Sequence, residues 1–316
     1  MRIVVTGRSG QVTRALQDRA GEQLEVVAVG RPEFDLGAQL DPTALFERLR
    51  PDVIVNAAAY TAVDKAEDDR DAALAINSFG AGLAARAAAR IGAPIIQLST
   101  DYVFDGAASR PYTEDDPTAP INFYGRSKLA GEAAVRVATS NHVILRTSWV
   151  YAPEGHNFLR TMLRLAGDRD EIRVVADQHG TPTSALDLAA AIERVAGNLV
   201  AHPDEPSLRG LFHLTNSGAT TWAGFAAEIF AMSAARGGPC ARVIPIAASD
   251  YPTPARRPMR SQLDNAKIAQ SHGVRLSDWR EALQTVMERL ASNSEFNLCI
   301  RAGLPQPFEK LEARKR

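Results

Sequence analysis

The first half of the chain alternates short β-branched runs with Ala-rich amphipathic segments, and few folds accept that rhythm. Apolar runs near 2–6, 24–29, 53–56, 94–99 and 142–147 read as buried strands, and segments near 10–20, 42–49, 68–92 and 123–139 read as helices. Each helix is long enough to carry the chain across a sheet face, so the strands come out parallel in a doubly wound α/β sheet. This first domain is expected at 1–150. Past Trp149 the rhythm loosens into a helix around 157–167, a strand at 172–175, a helix at 184–197, strands near 211–214 and 242–245, and helices at 221–235 and 278–291. These describe a second, smaller α/β domain at 151–292, expected to take the substrate, with the segment of about 172–200 returning to the first. Residues 293–316 show no periodicity and end in the charged run Glu309 to Arg316, so a mobile tail is expected there.

With 316 residues, 45% of them hydrophobic, the chain can bury a full core. Its formal net charge is −1, with acids and bases interspersed, which leaves no electrostatic footprint for nucleic acid or an anionic membrane. No stretch approaches the roughly 20 apolar residues that span a bilayer. The N-terminus enters a strand directly instead of showing a secretory signal, so a cytoplasmic location is expected. Cys240 and Cys299 lie far apart without CxxC spacing or a histidine cluster, which suggests neither a disulfide framework nor a zinc site.

Strand Ile3-Val4-Val5 runs into Thr6-Gly7-Arg8-Ser9-Gly10-Gln11-Val12-Thr13. Glycines at a strand-to-helix turn let backbone approach a pyrophosphate, and the helix start offers unpaired N–H groups, so Gly7, Gly10, Gln11 and Val12 are candidate contacts of a dinucleotide in a Rossmann sheet. The usual third glycine, which serves close helix packing, is Thr13, so the helix is expected slightly displaced outward. At the end of the second strand Gly30-Arg31 stands where an acid would bind an adenine ribose hydroxyl. Arg31 can pair with a 2′-phosphate, favouring NADPH over NADH, or can simply be a solvated surface charge.

Tyr124-Gly125-Arg126-Ser127-Lys128 puts a phenol and an ammonium one helical turn apart on one face. A cation beside a phenol favours phenolate, which would bring Tyr124 toward the working pH as a general acid. The strand before it, Ile95 to Thr100, ends in hydroxyl residues, and Thr100 would emerge at a carboxyl end, where open α/β sheets bind ligands. Asn56-Ala57-Ala58-Ala59 follows another strand and is small enough for cofactor to lie against it. Its competing reading is a capping Asn with core alanines.

Thr100, Tyr124 and Lys128 resemble the Thr/Ser, Tyr and Lys set of the extended short-chain dehydrogenases/reductases. Four stretches resemble the dTDP-4-dehydrorhamnose reductases among them: Asn56 to Glu67, Ser99 to Gly106, Arg146-Thr147-Ser148-Trp149-Val150-Tyr151, and Asp250-Tyr251-Pro252-Thr253-Pro254-Ala255-Arg256-Arg257-Pro258. The similarity spans roughly 1–291. The chain departs from the pattern at Thr13, in its added tail, and at Ala15, where many members carry a glutamate; Mg2+ occurs in the family, but no residue here supports it, so no metal is assigned.

This resemblance implies cofactor contacts at Gly10, Gln11, Val12, Asp35, Leu36, Ala59, Tyr60, Thr61, Tyr124 and Lys128, and sugar-nucleotide contacts at Thr100, Asp101 and Trp149. Trp149 could offer a flat wall to a pyranose or be ordinary core, and Arg256-Arg257 could meet a diphosphate or be solvated charge. The implied reaction is hydride transfer from NAD(P)H to the C4 ketone of dTDP-4-dehydro-β-L-rhamnose for polysaccharide biosynthesis. Tyr124 would act as proton donor, Lys128 would hold the nicotinamide ribose and lower the Tyr124 pKa, and Thr100 would polarise the carbonyl. Two alternatives remain: a non-catalytic NADP-binding subunit like the regulatory partner of methionine adenosyltransferase, and a reductase or epimerase of another nucleotide sugar. A homodimer is the generic expectation for assembly.

Overall fold

The computed structural model describes residues 1–292. The expected mobile tail and Cys299 lie outside them. The first half builds β1 (Arg2–Thr6), α1 (Gln11–Gln17), β2 (Glu25–Val29), α2 (Thr43–Leu49), β3 (Val53–Asn56), α3 (Arg70–Leu74), α4 (Ala81–Arg90), β4 (Ile95–Thr100), α5 (Phe123–Ala138) and β5 (His142–Thr147). All five strands fall where the apolar runs predict them.

The second half contains β6 (Val150–Tyr151), α6 (Phe158–Ala166), β7 (Glu171–Val175), β8 (His179–Gly180), β9 (Thr183–Ser184), α7 (Ala185–Ala201), β10 (Gly210–His213), β11 (Thr220–Thr221), α8 (Trp222–Ala234), β12 (Arg242–Ile246), α9 (Ala266–His272) and α10 (Trp279–Ser292). The main sheet runs β10-β5-β4-β3-β1-β2, parallel throughout. Strand order reverses between β1 and β3, which opens a crevice at their carboxyl ends, the usual ligand position in such sheets.

Period-2 alternation sorts the sheet residues onto two faces. Ile3, Val5, Val53, Val55, Ile96 and Val143 pack with α1 and α7. Val4, Ile54, Ile95 and Ile144 face the opposite way, against the buried alanines of α4 and Val135 of α5. The smaller domain has its own core, in which α6, α8 and α10 surround the parallel pair β7-β12 around buried Trp279.

Two details differ from the sequence reading. Of the segment of about 172–200 expected to return to the large domain, α7 does so, whereas β7 pairs with β12 in the small domain; β10 and α9 also join the large one. Leu188, Ile192, Val195 and Leu199 make an apolar stripe on α7 that completes the layer beside α1, and fully buried Phe212 extends the sheet beyond β5. The expected helix at 68–92 is interrupted by a wide π-type turn at Ala75–Gly80. Its Asn77 side chain turns away to hold the Tyr60 backbone, accepting from Tyr60 N at 2.9 Å and donating to Tyr60 O at 3.0 Å. Gly131 of α5 makes room, because a Cβ there would lie 2.0 Å from the Asn77 carbonyl oxygen. Such turns often mark functional sites.

Candidate active site

Buried polar side chains line the carboxyl ends of the central strands. Thr6 Oγ1 donates to Asn56 Oδ1 at 2.5 Å, Asn56 Nδ2 donates to Gln97 Oε1 at 2.6 Å, and Ala58 N donates to Thr6 Oγ1 at 3.1 Å. Asn56 is therefore a cross-strand tie and not a helix cap. Together these bonds fix the turns after β1 and β3 that flank the crevice.

Gly7 has φ +93°, a left-handed conformation that favours glycine, and lies against Ala58, where a Cβ would meet backbone at 3.2 Å. Gly10 precedes α1 with no side-chain cap, and the first helical bond is Arg14 N to Gly10 O at 3.0 Å, so the N–H groups of Gln11 and Val12 precede the helical ladder. Gly30 comes close to Arg8, where a Cβ would sit 2.9 Å from the backbone nitrogen. This uncapped, side-chain-poor cradle fits a dinucleotide pyrophosphate. Thr13 is fully buried with Oγ1 unpartnered, so the helix accepts it inside the packing against α7. Beyond β2, exposed Arg31 pairs with Asp35 at 3.3 Å, Asp35 caps the turn at Gly37 N, and buried Leu36 packs against Gly80. Ala59, Tyr60 and Thr61 continue from β3, and Asn77 ties Tyr60 to Ser127 of α5 at 2.9 Å. Gly80 and Asn77 thus tie the segments after β2 and β3 to α5, the stretches expected to meet cofactor. Among the described residues, no group of three or more His, Cys, Asp or Glu could hold a metal ion.

Thr100, Asp101 and Tyr124 come together where β4 meets the start of α5. Burial pushes the Tyr124 phenol up to about 12; a hydrogen bond with the Thr100 hydroxyl opposes this and the Asp101 charge reinforces it. Burial likewise raises Asp101 to about 7, with the hydroxyls of Ser261 and Thr100 pulling it down; Thr100 Oγ1 donates to Asp101 Oδ1 at 3.0 Å, and Oδ2 has no partner among the described residues. Lys128 departs from expectation. Its ammonium donates to the Leu98 carbonyl at 2.6 Å, and burial drops it to about 8 against the charge of Glu132. It does not lower the phenol's pKa in this arrangement.

Trp149 stands at φ +47° after β5 and stacks on Trp222 of the small domain, centroids 3.5 Å apart and planes within 8°. An added Cβ at Gly180 would lie 2.5 to 2.8 Å from Trp149 Cε2, Cζ2 and Nε1. An atom wedged between the two indoles would meet both, and the three atoms nearest to it all belong to Trp149, so the Gly180 backbone lies against the other face of the ring near Cε2. Sequence reading missed Trp222, which has no local signal, and Asn77 and Ser127, whose sign was a polar residue inside an otherwise apolar stripe. Arg256 is exposed in a cleft of about 340 Å³ beside Tyr251 and Met259, whereas Arg257 is already engaged by Asp64.

A doubly wound sheet with an open glycine cradle and a Tyr-Lys helix beside it defines the Rossmann-type reductases and epimerases as a class. The model of the RmlD substrate binding domain family matches residues 1–292, and the chain belongs to that family. It is 47% identical over 287 residues to a dTDP-4-dehydrorhamnose reductase of Sinorhizobium fredii, covering 91% of this chain and 97% of that protein. The Escherichia coli K12 protein of that name is 42% identical over 299 residues, covering 92% and 98%. Among solved structures, the dTDP-4-dehydrorhamnose reductase of Bacillus anthracis in complex with NADP superposes with a TM-score of 0.84 at 35% identity, covering 91% and 99%.

Proposed function

We propose that this protein reduces the C4 ketone of dTDP-4-dehydro-β-L-rhamnose to give dTDP-L-rhamnose for polysaccharide biosynthesis, using NADPH in preference to NADH. One observation carries the reading: a chain 47% identical to a dTDP-4-dehydrorhamnose reductase sets the Tyr124 ring 5.9 Å from Tyr102, two residues past Thr100 at the carboxyl end of β4. NADP in the complex of the Bacillus anthracis relative supports the cofactor preference, as does exposed Arg31, available to a 2′-phosphate.

A bound nicotinamide supplies the hydride. Tyr124, held protonated by burial, gives its proton to the forming alkoxide, while the Thr100 hydroxyl, which donates to Asp101 Oδ1 at 3.0 Å in the free protein, turns to the same oxygen. Lys128, whose ammonium donates to the Leu98 carbonyl, would hold the ribose hydroxyls. The small domain at 151–292 receives the sugar nucleotide, with Asp101 and Trp149 facing the pyranose. We take the protein to work in the cytosol as a two-fold homodimer, a state that sedimentation velocity tests.

Following nicotinamide absorbance with dTDP-4-dehydro-β-L-rhamnose tests the reading. Parent protein should oxidise NADPH rapidly and Tyr124→Phe about 10²- to 10⁴-fold more slowly. Near-full turnover in the variant removes Tyr124 from its role, and a parent that binds NADPH without turnover points to the regulatory-subunit alternative.

A further inference from the structure

Two of the sequence stretches singled out above, Asn56 to Glu67 and Asp250 to Pro258, contain charged residues for which hydride transfer has no direct use. They meet in space. The Asp64 carboxylate accepts from Arg257 Nη1 at 3.0 Å and Nη2 at 2.7 Å, a two-pronged pair, and also from Ala255 N at 3.1 Å. Arg257 Nη1 donates in addition to Thr253 Oγ1 at 2.6 Å and Ala255 O at 3.0 Å, so the guanidinium also folds its own loop into one shape. Small-domain residues 251–258 are thereby strapped onto the loop that follows β3.

The strap reaches the helix that carries the phenol. Asn122 donates to Arg256 O at 2.8 Å and with its Oδ1 accepts from Gly125 N at 2.8 Å, so one side-chain amide joins the strap to the first turn of α5. Glu67, three residues after Asp64, accepts from Phe123 N at 2.8 Å. Gly106 admits the strap from the β4 side, since a Cβ there would fall 2.6 Å from Pro258. The Tyr102 ring completes the packing, set edge-on to Tyr124 at 5.9 Å and within the field of both Arg257 and Asp64.

We infer that Asp64 and Arg257 are positioning residues: their clasp fixes the strap as one lip of the sugar-nucleotide cleft and, through Asn122, fixes Tyr124 against the substrate carbonyl. The inference rests on the proposed reductase activity. The planar fork is what makes the clasp rigid, and lysine keeps the charge but not the fork. A displacement of about 1 Å at a reacting group can cost about 10²-fold in rate.

The test uses the full chain with Asp64→Asn and Arg257→Lys. Both variants should lose roughly 10- to 100-fold in kcat/KM for dTDP-4-dehydro-β-L-rhamnose while NADPH affinity, read by cofactor fluorescence, stays within about twofold of the parent. Amide hydrogen exchange should quicken at both Ala255 and Gly125. Exchange that quickens at Ala255 alone, or kcat/KM within about twofold of the parent in both variants, overturns the inference. A parent that turns over no sugar nucleotide overturns the reductase reading instead, and the exchange at Gly125 then decides on the clasp by itself.

Discussion

The Lys128 ammonium donates to the Leu98 carbonyl at 2.6 Å, one helical turn beneath Tyr124, and so belongs to the floor of the crevice and not to the phenol. Burial lowers it from an ordinary 10.5 to about 8, with Glu132 opposing. Between those pH values the unfolded chain holds a proton that the native protein lacks, so stability should rise with pH across that window. The ammonium needed for ribose is lost over the same rise, and NADPH affinity should therefore fall as pH passes about 8. Lys128→Met should flatten both profiles and weaken NADPH binding roughly 10- to 100-fold, the cost of about 1.5–3 kcal/mol for a charged hydrogen bond. Denaturant melts and fluorescence titrations between pH 7 and 10 read both effects.

Trp149 cannot retreat. Trp222 stacks on one face at 3.5 Å, and the Gly180 backbone closes the other. In Gly180→Ala the new methyl would start 2.5 Å from the indole, and overpacking of this kind costs about 1–3 kcal/mol. Intrinsic tryptophan fluorescence should shift to the red, and sugar-nucleotide KM should rise with little change in kcat. A parent-like emission spectrum in a folded variant would contradict the sandwich.

The β-branched runs made the strands legible because β1, β3, β4 and β5 are buried on both faces, which leaves hydrophobic length as a sufficient signal; β2, at the sheet edge, is half-buried and was marked by its β-branched residues alone. The places of Thr100 at the end of β4 and of Tyr124 in the first turn of α5 were also readable, since both follow from residues at strand and helix ends. Lys128 was placed on the right helix face, but its partner was not, because Leu98 offers a backbone carbonyl and no sequence pattern marks one. The π-type turn at Ala75–Gly80 escaped for a similar reason: the Ala-rich pattern continues through it, and only Asn77 reaching for Tyr60 and Gly131 yielding space explain it. Trp222 and the Asp64–Arg257 clasp depend on tertiary closure between distant segments, which local spacing does not encode.

Behind the phenol, Arg146 and Glu132 form a fully buried pair, with Nε to Oε1 at 2.8 Å and Nη2 to Oε2 at 2.7 Å, and Ser99 Oγ adds a third bond to Oε1 at 2.6 Å. Arg146 also lies over the Phe104 ring at 5.1 Å. Removing one partner of such a pair leaves an uncompensated charge and costs about 3–5 kcal/mol. Glu132→Gln should therefore lower the urea midpoint sharply, and the joint change Glu132→Leu with Arg146→Met should recover most of the loss. If the single substitution were mild, water would have to reach Arg146.

Asp101 changes charge within the working range of pH. Burial raises it from an ordinary 3.8 to about 7, and among the described residues its Oδ2 has no hydrogen-bond partner. The native protein keeps a proton here that the unfolded chain has released between those two values, so this residue's contribution to stability is present below about pH 4 and declines as pH rises through 7. Ionised Asp101 also pushes the neighbouring phenol upward, which keeps Tyr124 protonated as the solution becomes more alkaline. Asp101→Asn should remove the inflection near pH 7 from the kcat/KM profile and move the alkaline limb, set by Tyr124 ionisation, to lower pH. A profile superimposable on the parent's would mean that Asp101 does not change charge in the free protein. Measured with NADPH saturating, the comparison separates this ionisation from the Lys128 effect, because the latter acts through cofactor affinity and vanishes at saturation.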